Sequence, residues 1–273
     1  MHISKIFCTF ALGNLHTAWR KLFFLLFKIF VMNYFNPTLF DESEFINKIK
    51  THVEREVNLL LASLSKTHQR KKSNQNIHIS AGMKLVGKNE LPEVAAYTGD
   101  IPLVLTPYSM KDTGNKNGAV HFYIDDYRFE GMYTCGHIKH YTRNVALYKT
   151  VIAPDFSLYL DQSCTLNKFQ LYKNRVVTAY WQSLGMQVIP SVSWGNAESF
   201  EYCFEGLPQN SVLSIGGLGN SHHPSMIKLW EYGVRLTIER LHPIALIIYG
   251  APKKLDLPVK TYYFEDFINT KLK

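Results

Sequence analysis

The chain reads as an α/β protein: an open, mostly parallel sheet of about six strands with helices on both faces, preceded by an N-terminal helical extension. Three features carry that expectation. Beyond Leu91, short apolar runs of strand length alternate with stretches of helical periodicity. The two longest helical stretches, 166–184 and 224–241, each show an apolar stripe beside a polar face. Such alternation favours parallel pairing through right-handed crossovers, and six or seven strands in about 180 residues fall short of the eight units of a full barrel.

Taken in chain order, residues 1–31 hold Lys5, Arg20, Lys21 and Lys28 with no acid, around the apolar runs 22–27 and 29–32. Those runs are broken by Lys28 and are too short to span a bilayer, which takes roughly 20 residues. No small-residue cleavage site follows, since Asn33-Tyr-Phe-Asn-Pro37 does. This apolar, basic extension leaves three readings open: translated sequence upstream of a natural start at Met32, an interfacial amphipathic segment, or a docked helix. Integral membrane insertion is not expected.

Residues 32–90 form a second unit. Asp41 and Glu44 make a capping box ahead of an amphipathic helix, whose Ile46, Ile49, Val53, Val57, Leu60 and Leu64 recur at spacings of three and four. That stripe fits core packing, or a homodimer through the 46–64 helix. Residues 65–89 hold Lys66, Arg70, Lys71, Lys72, Lys84 and Lys88 without an acid, and 65–77 lack periodicity. An exposed basic linker is expected, with phosphate contact as its functional alternative.

The core domain occupies 91–273. Strands are expected at 101–106, 119–126, 150–154, 187–192, 212–217 and 244–249, with a weaker one at 259–264. Phe169, Val176, Val177, Tyr180 and Leu184 make the expected buried stripe of the first long helix; Met226, Leu229, Trp230, Val234, Ile238 and Leu241 make that of the second. The formal charge is +8, yet residues 90–273 contain 17 basic and 17 acidic side chains, so attraction for a polyanion belongs mainly to the N-terminal third. Cys8, Cys135, Cys164 and Cys203 form no CxxC pair, which argues against a zinc knuckle or a disulfide scaffold and for a reducing, cytoplasmic setting.

In open parallel sheets, ligands bind beyond the carboxyl ends of the strands, where loops and helix N-termini converge. Asp125 and Asp126 follow one expected strand and Asp155 the next. Ser193 with Trp194, Gly216 with Gly217 and Gly219, and Tyr249 with Gly250 follow three more.

Several of these runs are familiar together. His121-Phe-Tyr-Ile-Asp-Asp-Tyr-Arg-Phe-Glu130, Ala153-Pro-Asp-Phe-Ser-Leu-Tyr-Leu-Asp161, Asn174-Arg175 with Tyr180-Trp-Gln-Ser-Leu-Gly185, Val188-Ile-Pro-Ser-Val-Ser-Trp194 and Tyr249-Gly250 resemble, in order, the domain of unknown function 4417 family. The resemblance covers roughly residues 91–252. It implies an uncharacterised protein of bacterial, plasmid or phage origin, some members carrying plasmid-replication names, and it implies no particular activity.

The strand-end carboxylates have two readings. Asp125 and Asp155, with Asp126 beside them, are expected to hold a divalent metal such as Mg2+, while Arg128 and Arg175 neutralise phosphate. Alternatively Asp155 caps the turn after its strand and Asp126 pairs with Arg128. Asp125, Asp126, Asp155 and Arg175 are the candidate catalytic residues; Arg128, Trp194, Gly216, Gly217 and Tyr249 are the candidate ligand contacts. The turn 216–224 lacks the third glycine of a dinucleotide fingerprint and the Gly-Lys-Ser/Thr of a Walker loop. Cys135, His137 and His140 lack a fourth zinc ligand at a recognised spacing, and no Gly-x-Ser-x-Gly elbow supports a serine nucleophile.

The expected function is that of a mobile-element-associated protein that binds or acts on a phosphate-containing ligand, nucleotide or nucleic acid, at this pole. The alternative is a non-catalytic DNA-binding accessory or interaction module using the basic 66–88 segment and the 46–64 helix.

Overall fold

A computed structural model describes residues 77–218 and 223–266. The 1–31 extension, the Asp41–Glu44 capping box, the 46–64 helix and the linker up to residue 76 lie outside the described residues. The described chain opens with the short helix α1 (Ile77–Ser80) and an antiparallel pair, β1 (Leu85–Val86) and β2 (Leu91–Pro92). Lys84, counted in the basic segment, pairs with Glu93 at 2.8 Å.

The core then runs β3 (Leu105–Pro107), β4 (Ala119–His121), α2 (Gly131–Thr134), α3 (Ile138–Val145), β5 (Thr150–Ile152) and α4 (Cys164–Ser183). It continues through β6 (Val188–Ile189), β7 (Ser191–Val192), β8 (Val212–Gly216), α5 (Pro224–Leu241), β9 (Ala245–Tyr249) and β10 (Thr261–Phe264). The α/β class and the all-parallel pairing of the core hold. The single sheet of about six strands does not: there are two four-stranded parallel sheets, ordered β3-β4-β5-β6 and β10-β9-β8-β7.

Pro190 is the reason for the division. It separates β6 from β7 inside one extended segment and has no N–H to give a ladder. Before it, the Gln187 and Ile189 carbonyls accept from Val151 and Ala153 in and beside β5; at it, the Pro190 carbonyl accepts from Ser214 of β8. The segment therefore serves as the edge of both sheets.

Among the described residues, the long helices lie on one face of each sheet. Within each sheet, strand order follows chain order without reversal, so right-handed crossovers place the helices on one side. Val176, Val177 and Trp181 of α4 pack with Val120, Val151 and Val188. Trp230, Val234 and Leu241 of α5 pack with Leu213, Ile215, Leu246 and Ile248. On the opposite faces Ala119, Ile152, Ile189, Val212, Ala245 and Ile247 join one buried cluster to which no helix among the described residues contributes. Such one-sided winding is the logic of a β/α barrel, whose ligand pole is also the carboxyl end of its strands.

The helix ends follow local chemistry. Ser163 caps α4, its hydroxyl accepting from the Leu166 N–H at 3.2 Å. Pro224 opens α5 at a position that needs no N–H, and His242 ends it in the left-handed region at φ 45°. The buried side of α4 differs from the expected stripe: Phe169 and Leu184 are 36% and 52% exposed, while Asn174, Arg175 and Trp181 are buried.

Candidate functional site

The carboxyl ends of β3, β4, β5, β7, β8 and β9 converge on a cavity of about 970 Å³. Its floor is aromatic. Tyr123, beyond β4, and Tyr249, at the end of β9, stack with centroids 5.4 Å apart and planes at 12°. The Tyr123 hydroxyl lies 2.7 Å from Ser214 Oγ, across from the neighbouring sheet. Burial, and secondarily the Asp155 carboxylate, hold this phenol well above its ordinary pKa, so it acts as a neutral hydrogen-bonding group.

Just below sits His121, fully buried, with its ring centroid 4.2 Å from that of Tyr249. Its Nδ1 accepts from the Tyr123 N–H at 3.2 Å, and burial lowers its pKa to about 3. The ring is neutral at physiological pH, and an accepting Nδ1 places the proton on Nε2.

Asp155 lines the cavity three residues after β5. Its Oδ1 is shielded from solvent and has no hydrogen-bond partner, whereas the Ser193 side chain bonds the carboxylate. Burial, reinforced by the nearby Asp126 carboxylate, raises its pKa to about 7 against the help of Ser193. Carboxyls perturbed in this way are concentrated at functional sites, and structural burial perturbs them too. Asp155 does not have the pattern of a cap, whose oxygens would be satisfied by backbone N–H groups.

The other expected site residues divide. Asp125 and Arg128 line the mouth and pair with each other, Nε to Oδ2 at 3.3 Å, both substantially exposed. Trp194 lines the cavity with its indole packed on α5; a Cβ on Gly233 would fall 2.2 Å from the ring. Gly216 also lines it, and a Cβ there would stand 2.9 Å from Tyr123 and 3.2 Å from Asp155 Oδ2. Tyr249 forms the floor.

Asp126, Gly217 and Arg175 lie off the cavity. Asp126 accepts from the Ser157 N–H at 3.0 Å and the Ser157 hydroxyl at 2.9 Å, tying the loop after β4 to the loop after β5. It is this bond, rather than the expected pairing with Arg128, that occupies it. Gly217 permits close approach of the 250–251 backbone, since a Cβ would meet the Gly250 carbonyl at 2.5 Å. Arg175 is fully buried on α4. Its guanidinium donates to the Glu205 carbonyl at 3.1 Å, the Cys203 carbonyl at 2.8 Å and Asn174 Oδ1. That clasp holds the 203–205 turn against α4, and a long polar side chain in a helix can serve packing as well as a pole.

Residues 219–222 of the glycine-rich turn lie outside the described residues. Among the described residues no three His, Cys, Asp or Glu side chains are grouped to hold a metal ion, the Cys135–His140 stretch included. Asp125 and Asp155 both line the cavity. Tyr123, Ser214, Asp161 and Asp266 were not among the residues expected here. The alternation Ala119, His121, Tyr123 was a usable signal for the first, because it runs the inward face of β4 past the strand end.

Comparison with known proteins bears on origin rather than chemistry. The model of the family described as "Domain of unknown function (DUF4417)" matches residues 83–267. The "Gene 1 protein" of Mycobacterium phage L5 is 33% identical over 171 residues, 61% of this chain and 73% of that relative. The "Gene 1 protein" of Mycobacterium phage D29 is 31% identical over 139 residues, 51% of this chain and about half, 51%, of that relative's length. No solved structure matches the chain. No helix among the described residues is long and apolar enough to cross a membrane.

Proposed function

The chain belongs to the DUF4417 family, and from that premise we propose that it is a mobile-element protein that binds a nucleotide, free or within nucleic acid, in the strand-end cavity. The observation that carries the reading is Asp155, a carboxyl with one unsatisfied oxygen among aromatic walls at the ligand pole. The base lies in the aromatic part of the cavity, where Tyr123, Tyr249 and Trp194 supply apolar area. The phosphate lies toward the mouth, where Arg128 is the basic side chain of the lining. A divalent cation such as Mg2+ enters with the phosphate and takes Asp125 and Asp155 as its protein ligands. Asp155 then passes from carboxylic acid to carboxylate as ligand and cation bind, which makes it the group that moves a proton.

The test uses Trp194 and Trp230, which both line the cavity. Nucleotides with Mg2+ quench the intrinsic fluorescence of the full chain. Gly216→Ala, whose new methyl lies against Tyr123 and Asp155, weakens that response by about tenfold or more in affinity at retained circular dichroism. Equal quenching of both proteins places the ligand elsewhere, and absence of quenching refutes the reading.

A further inference from the structure

The rim of the cavity carries a second aromatic surface, apart from its floor. Tyr159, on the loop after β5, lines the cavity and is 50% exposed. The backbone that carries this ring is fixed: the Tyr159 N–H donates to Asn167 Oδ1 at 3.2 Å, and Asn167 Nδ2 donates to the Tyr159 carbonyl at 2.9 Å. Asn167 is itself buried on α4, and Gly195 leaves room for the clamp, since a Cβ there would stand 3.1 Å from the Tyr159 carbonyl and 3.2 Å from Asn167 Nδ2. On the loop after β4, the Arg128 guanidinium lies 5.0 Å over the exposed Tyr127 ring and pairs with Asp125. The bonds from Ser157 to Asp126 tie the two loops together, so Tyr159 and Arg128 belong to one preformed rim.

Resting on the nucleotide reading of this cavity, we propose that its ligand is a single strand of nucleic acid. One base enters to the Tyr123–Tyr249 floor, the neighbouring base stacks on Tyr159 at the rim, and Arg128 meets the phosphodiester between them. Size, charge and the rim favour a strand over a free nucleotide. A cavity of about 970 Å³ is at the upper end of the range for small-ligand pockets, and a single nucleotide fills only part of it. The lining sets Asp125, Asp155 and Asp161 against one basic side chain, Arg128. A terminal phosphate brings about two negative charges into that field and a triphosphate more, whereas a phosphodiester brings about one. A half-exposed tyrosine ring on a clamped backbone is a stacking platform that a mononucleotide held at the floor does not use. A duplex must first give up stacking and pairing to send a base to the floor, so the unpaired strand binds more tightly.

The experiment is isothermal titration, in Mg2+, of mononucleotides and homodinucleotides of each base into the full chain, Tyr159→Ala and Tyr159→Phe. A mixed-sequence oligonucleotide of about a dozen residues follows, single-stranded and as duplex. Dinucleotides are expected to bind about tenfold or more tightly than mononucleotides, the effect of one base stacked on an aromatic ring. That ratio, taken within each protein, falls toward unity in Tyr159→Ala and is kept in Tyr159→Phe, and the single strand binds more tightly than the duplex. Ribose and deoxyribose series, run side by side, identify the strand as RNA or DNA. Dinucleotides that bind no more tightly than mononucleotides, a ratio kept in Tyr159→Ala, or a duplex that binds as tightly as the single strand each overturn the strand and leave the nucleotide reading standing. No binding by any of these ligands overturns both.

Discussion

Replacing Asp155 by asparagine separates a carboxyl kept for a ligand from one kept for the fold. In the folded chain Asp155 titrates at about 7, against an ordinary value of 3.8. Between those values the folded state holds a proton that the unfolded state has released, so stability falls as pH rises through the window. Below about pH 4 both states are protonated and the effect vanishes; above about pH 7 the full cost is present. At about 1.4 kcal/mol per pKa unit the gap corresponds to about 4 kcal/mol, and partial solvent access along the cavity reduces it to about 2–4 kcal/mol.

The amide introduced by Asp155→Asn carries no ionisation and still accepts from Ser193. The variant is therefore more stable than the parent at pH 8 by about 2–4 kcal/mol, a gain of about 4–16 °C in Tm for a chain of this size, and by only about 1–2 kcal/mol at pH 5. Urea denaturation and thermal melts at the two pH values measure both numbers. A variant that melts several degrees below the parent at pH 8 refutes the reasoning and makes Asp155 a structural cap.

Other perturbations have equally definite outcomes. Arg175→Met removes the donors of three acceptors, Glu205 O, Cys203 O and Asn174 Oδ1, at about 1 kcal/mol each. The result is a loss of about 3 kcal/mol in urea unfolding and about 6–12 °C in Tm, with ligand affinity of the folded protein unchanged. Gly233→Ala drives a Cβ to within 2.2 Å of the Trp194 indole. It costs about 1–3 kcal/mol and shifts the tryptophan emission maximum, an effect absent for Ala at the exposed helix position Glu239.

The α/β class, the parallel pairing and the α5 helix were legible because they rest on local signals: apolar run length, helical periodicity and a proline at N1. The division into two sheets was not, although Pro190 stood in the sequence. A missing N–H interrupts a ladder only when its neighbours are known, and those neighbours, Val151 and Ser214, are remote in the chain. One-sided winding was hidden for the same reason, since strand order is a property of contacts and not of periodicity. Within the site, Asp125, Asp155, Arg128, Trp194, Gly216 and Tyr249 reach one cavity because each follows a strand end, which is a positional argument a sequence can support. Arg175 lay in a helix interior, where chemistry alone does not tell a clasp from a phosphate contact. Asp126 and Asp125 are adjacent, yet one is turned inward to Ser157 and the other outward to Arg128, a choice made by the loop geometry after β4. Tyr123 and Ser214 belong to opposite sheets, and their contact exists only once both curl around the same interior.

Nucleotide binding at Asp155 is tested most directly by isothermal titration of GMP with Mg2+ into the full chain beside Asp155→Asn at pH 8, with both proteins shown to be folded. One site per chain is expected, with affinity reduced about tenfold or more in the variant. Indistinguishable isotherms for the two proteins, or no heat of binding in either, would contradict a nucleotide site built on Asp155.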